Sequence, residues 1–105
     1  MGNLKGVQPM SGMPYVLTGT VGTVAATLSF INADSEVSVT TSIQIENMDA
    51  AALLYVSFDG GTIWLTIQPN NDSLSIDCNI KNCKLKSSTG TISYQCVYTI
   101  VGDPA

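Results

Sequence analysis

Residues 53–67 read LLYVSFDGGTIWLTI, two short apolar runs rich in β-branched and aromatic side chains on either side of Asp59-Gly60-Gly61. Tight β-turns need positive φ, which glycine accepts without steric cost, so this arrangement predicts a hairpin. It joins LLYVSF to TIWLTI. Upstream, Asn47-Met48-Asp49 is a turn signal, and before it Glu36–Glu46 (EVSVTTSIQIE) alternates. Val37, Val39, Thr41, Ile43 and Ile45 are expected on one face, and Ser38, Thr40, Ser42 and Gln44 on the other. Tyr15–Val21 and Val24–Ile31 have strand composition, with Gly19 and Gly22 read as a bulge or turn between them. Downstream, Pro69-Asn70-Asn71-Asp72 ends the hairpin, and short strands are expected at Ser73–Asp77 and Ile80–Lys86. After a turn at Ser87–Gly90, Thr91–Val101 places Ile92, Tyr94, Cys96, Tyr98 and Ile100 on one face. No segment carries helical periodicity over ten residues. The expectation is an all-β chain: a single β-sandwich or jelly-roll-like barrel of seven to eight strands over residues 15–105, preceded by an extended N-terminal arm, residues 1–14.

The arm (MGNLKGVQPMSGMP) holds three glycines, two prolines and three methionines, which no regular period survives. Leu4, Val7, Met10 and Met13 give it more apolar surface than a solvated tail needs. An arm that docks on a neighbouring subunit uses such residues, and a plain N-terminal tail with stray methionines is the alternative reading.

Composition narrows the function. Eight acids face four lysines in 105 residues, with no histidine, for a net charge of −4. Nucleic-acid binding needs a basic stripe that displaces counterions, and only Lys81, Lys84 and Lys86 cluster, so no nucleic-acid partner is expected. Charged residues are 11% of the chain, under half the usual share, so Ser, Thr, Asn and Gln supply most of the polar surface. Such surfaces suit packing against other protein, although strand-rich proteins also use Thr and Ser on exposed faces. No apolar run reaches the ~18 residues of a membrane span, and residues 1–13 lack the apolar core of a signal peptide. Cys78, Cys83 and Cys96 read most simply as three reduced thiols, with Cys78–Cys83 or Cys78–Cys96 as candidate pairs.

Chemistry-bearing groups are sparse. Without histidine no ordinary base activates a serine or cysteine, and Ser87 or Ser88 beside Lys86 reads as a turn. Asp72 with Asp77, or Asp34 with Glu36, are carboxylate pairs at strand ends, without the alternating spacing of a Ca²⁺ loop. Three cysteines fall short of a structural zinc site. No catalytic residue, metal or cofactor is therefore expected, and the chain is read as a non-enzyme. Trp64, Tyr55, Phe58, Tyr94 and Tyr98 are candidates for a sugar-binding face, with core packing as the competing role.

Ser57–Trp64 (SFDGGTIW) resembles the Asp-box, S-x-D-x-G-x-T-W, of sialidase-like propellers: Ser57, Asp59, Gly61 and Trp64 match, and Ile63 replaces Thr. The resemblance implies a stabilised hairpin, with the Asp capping backbone amides and the Trp packed beneath. A propeller needs several blades of about 40 residues, for which the chain is too short. The longer stretch Ala51–Val101 resembles small virion proteins of tailed bacteriophages, which carry segments of the form LYVSFDGG…W…L.PG.SLSL…IK…LKGS.GT.YQV. Where that texture has Pro-Gly, this chain has Pro69-Asn70-Asn71-Asp72. The resemblance implies a capsid cement or decoration protein, a homotrimer on the capsid exterior bound to the major capsid protein or other virion proteins and made in the bacterial cytoplasm. A neck, tail or baseplate protein is the alternative, and a carbohydrate-binding or adhesion module is the alternative of another class. Candidate partner-binding residues are Leu4, Val7, Met10 and Met13 in the arm and Asp59, Gly60 and Gly61 in the hairpin.

Overall fold

The computed structural model describes residues 14–101, so the arm residues Leu4, Val7, Met10 and Met13 lie outside the described residues. Eight strands are described: β1 (Tyr15–Val21), β2 (Ala26–Ser29), β3 (Thr40–Asn47), β4 (Leu54–Ser57), β5 (Leu65–Ile67), β6 (Ser73–Ile76), β7 (Asn82–Ser87) and β8 (Ile92–Ile100). They form two four-stranded sheets, in the orders β1-β8-β3-β6 and β2-β7-β4-β5, with every pairing antiparallel. The all-β sandwich expected from the sequence is the observed fold.

Alternation builds the core as the sequence pattern requires. From the first sheet Ile43, Ile45, Ile92, Cys96, Tyr98 and Ile100 point inward; from the second, Leu28, Leu54, Val56, Ile67, Cys83 and Leu85 meet them. Tyr98 anchors one end of this layer: Phe30 meets its ring edge-on at 5.0 Å, Tyr15 stacks on it at 5.3 Å, and its hydroxyl donates to the Ile31 carbonyl at 2.9 Å. Burying so large a ring is favourable only because its one polar group finds that partner.

Three readings need correction. The strand expected from Glu36 starts at Thr40, and its register with β8 shifts between Thr40 and Ser42. Such a bulge inserts one residue and reverses the alternation before it. Thr40 is therefore fully buried, its hydroxyl donating to the Cys78 carbonyl at 2.7 Å, while Val37 is 52% exposed and makes only an isolated bridge to Ile31. Gly19 marks neither bulge nor turn; it lies within β1 in unbroken register with β8. A Cβ there would come 2.8 Å from the Tyr94 hydroxyl, so glycine leaves room for that ring. Finally, β5 begins at Leu65 rather than Thr62, for the reason given next.

Backbone bonds just beyond the strands define two ends. At one, Ser87 N–H donates to the Gly22 carbonyl and Ser88 N–H to Leu53. At the other, Phe30 and Thr40 N–H groups donate to Lys81 and Ile80. The Asp59–Gly61 hairpin belongs to this second end, and the Ser87–Gly90 turn to the first.

Candidate functional site

The hairpin tip is organised by one carboxylate. Asp59 Oδ1 accepts the Ser57 hydroxyl at 2.8 Å, the Thr62 N–H at 3.1 Å and the Ile63 N–H at 3.0 Å. Holding Thr62 and Ile63 to that oxygen keeps them out of the strand ladder, which is why β5 starts late. Ser57 Oγ in turn accepts the Gly61 N–H at 2.8 Å, and the Trp64 indole N–H donates to the Gly61 carbonyl at 3.0 Å. Gly60 and Gly61 take φ of 82° and 102°, where a side chain would strain the turn. This is the turn that the Asp-box resemblance implied. These donors stabilise the charged carboxylate, with Ile63 N–H and then the Ser57 hydroxyl foremost, and hold the Asp59 pKa below its ordinary value.

The same turn presents apolar surface. Phe58, Asp59, Ile63 and Leu65 line a shallow cup of about 200 Å³, with Ile63 64% exposed. On its other side the loop folds over the outer face of the second sheet and covers Ser57, which is fully buried although it alternates outward with Tyr55. There, Tyr55 sits opposite Lys86, and Ser57 opposite Lys84. The Lys86 ammonium lies 4.3 Å from the Trp64 ring centre and 5.8 Å from that of Tyr55. Of the five aromatic residues considered for a sugar face, Trp64 and Tyr55 share this surface. Tyr98 belongs to the core, and Tyr94 and Phe58 pack against it half-buried.

The outer face of the first sheet differs. Ser42, Gln44, Ser75, Asp77, Val97 and Thr99 line an open depression of about 380 Å³. Its hydroxyls bond one another: Thr99 Oγ1 pairs with Thr41 and, at 2.9 Å, with Ser42. No lysine lies in any of the four described strands of this sheet.

The remaining candidates are dispersed. Asp72 accepts the Gln68 N–H within its own turn, and in the 32–36 loop the side chain of Asn32, not that of Asp34 or Glu36, accepts the Asp34 and Glu36 N–H groups. All three cysteines are free thiols; burial raises the pKa values of Cys83 and Cys96 to about 12, so neither is a nucleophile at neutral pH. Among the described residues no group of three or more His, Cys, Asp or Glu is placed to hold a metal ion. No described helix is long and apolar enough to cross a membrane.

Two features escaped the sequence reading. The Lys86–Trp64–Tyr55 contact depends on the turn folding back across β4 and β7, which no local pattern encodes. The polar depression is shaped by strands distant in the chain. No family model, curated protein or solved structure matches this chain.

Proposed function

We propose that this chain is a structural protein of a tailed-phage virion, acting as a capsid cement protein that binds the assembled shell through protein–protein contacts. The observation that carries the reading is the hairpin tip. It is a turn pinned by its own carboxylate that nevertheless exposes Ile63 and Leu65 to solvent. A rigid loop with exposed apolar side chains docks with little ordering cost, so more of its contact energy is retained as affinity. The virion-like texture supports the same reading, since Ala51–Val101 covers β4 through β8. So does the charge-poor outer face of the first sheet, which another protein can cover without stripping water from many ions.

In this reading the end carrying Asp59, Gly60 and Gly61 meets the shell and the Ser87–Gly90 end faces away. Several copies bound to one particle, as a trimer or singly at adjacent sites, hold firmly through individually weak contacts. Immunogold labelling of virions tests the assignment. Gold distributed over heads is the expected result; gold confined to the neck or tail moves the protein to that part of the particle; unlabelled particles overturn the reading.

A further inference from the structure

We propose that Trp64, Tyr55, Lys84 and Lys86 form a binding site for an acidic sugar unit of a glycan, on the outer face of the second sheet. The site is independent of the virion reading.

Charge segregation is the first observation. The chain has twice as many acids as lysines, yet none of the four strands of this sheet contains an acid, and β7 carries both Lys84 and Lys86. Lysines that serve only solubility have no reason to collect beside the single tryptophan. Among the described residues neither Lys84 nor Lys86 has a carboxylate within ion-pairing distance, and Asp59, the nearest acid in the chain to Trp64, spends one oxygen on its own turn.

Geometry is the second. The Lys86 ammonium rests over two aromatic rings, 4.3 Å from one centre and 5.8 Å from the other. A cation–π contact holds the cation in place while leaving its other N–H donors free to meet an anion from the solvent side. Trp64 is itself fixed by its indole hydrogen bond to the Gly61 carbonyl, and a Cβ at Gly61 would lie 3.5 Å from its Cζ2. The result is a preformed ammonium that covers one face of the Trp64 ring and leaves the rest of the two half-buried rings as apolar surface beside it. Thr66 and Thr27 flank it in register, opposite Tyr55 and Lys84.

A ligand that uses all of this has a carboxylate for the lysines, a flat C–H face for the rings and hydroxyls for the threonines. A uronic or sialic acid unit has all three. A glutamate side chain has only the first, so the observations favour a glycan over an acidic peptide. Thr27 and Thr66 are exposed and Tyr55, Trp64, Lys84 and Lys86 half-buried, as suits one unit within a longer chain.

Trp64 is the only tryptophan, so its emission reads the site directly. The whole protein is titrated with oligogalacturonate, with sialyllactose, with methyl-esterified oligogalacturonate, which masks the carboxylate, and with poly-L-glutamate, which lacks the ring. The expected result is a saturable emission change with at least one acidic sugar and at least tenfold weaker binding of the ester and of polyglutamate. Lys84→Gln with Lys86→Gln should abolish the change. Tyr55→Ala, which keeps the reporter, should weaken binding at least fivefold without loss of the native emission. No saturable response to either acidic sugar overturns the proposal, as does equal binding of the ester. Polyglutamate binding as tightly as the sugars overturns the glycan assignment in favour of an acidic protein segment. None of these results bears on whether the protein labels virions.

Discussion

The two ends of the sandwich are each built around one short polar side chain with three hydrogen bonds, and the environments of those side chains are opposite. At the first end Asn47 is fully buried. Its Nδ2 donates to the carbonyls of Ala52 and Ile67 at 2.8 and 3.2 Å, and its Oδ1 accepts the Asp49 N–H at 2.9 Å. Its backbone is engaged as well, N–H to the Asp72 carbonyl and carbonyl to the Asn71 N–H. At the second end the Asp59 carboxylate is exposed, and two of its three bonds, to the Thr62 and Ile63 N–H groups, are made in solvent. The count is the same; the worth is not. Where water competes, a lost bond is replaced, whereas a buried partner left alone bears the full desolvation cost. Asn47 therefore locks the 48–52 loop and the 69–72 turn to β3 and β5, while Asp59 shapes a tip that remains available for contact.

The largest effect expected from this difference is at Asn47. Asn47→Leu keeps the branched shape but orphans two carbonyls and an amide, and should cost about 3 kcal/mol, read by chemical denaturation. A loss under 1 kcal/mol would remove the distinction between the ends.

Burial should also govern the thiols. Cys83 and Cys96 hold their protons to about pH 12 in the folded state and release them near pH 8.5 when unfolded. Their contribution is thus complete below about pH 8.5 and declines as pH rises toward the folded value. Stability should fall by on the order of 2 kcal/mol by pH 9.5. Alanine at both positions should flatten that decline; an unchanged slope would assign it to other groups.

Smaller effects are expected at the tip. Asp59→Ala should red-shift Trp64 emission and raise protease sensitivity at residues 58–64, with a much smaller change in global stability than Asn47→Leu. Its lowered pKa sets the smallest effect of all. Because the folded carboxylate is the stronger acid, its contribution is present above about pH 4 and is lost as pH falls through the folded value. Trp64 emission should therefore shift in acid before the fold melts, and the Ala variant should lack that step.

Much of this architecture was legible because it is local. Alternation in Ile92–Ile100 and the Asp-Gly-Gly turn each state their own conformation, so β8 and the hairpin were read correctly. Thr40 was assigned to the wrong face because a bulge is a property of two strands, and its signal lies in the partner register rather than in EVSVTTSIQIE. Asn47 was seen as a turn residue, since nothing in Asn-Met-Asp reveals that β5 and the 69–72 turn will close over it. Gly19 was misread for the same reason: its need for glycine comes from Tyr94, far away in the chain. Of the candidate site, Asp59–Gly61 was visible in the motif. The lysine–aromatic contact was not, because it forms only when the turn folds onto the sheet.

The central claim, that this sandwich works by docking on an assembled protein shell, is tested most directly by retention on capsids. Mature heads lacking the protein are mixed with it, sedimented and heated. The account predicts saturable co-sedimentation and a higher temperature of capsid disruption, both reduced by Ile63→Asp at the exposed tip. Heads that neither retain the protein nor gain heat resistance would contradict it.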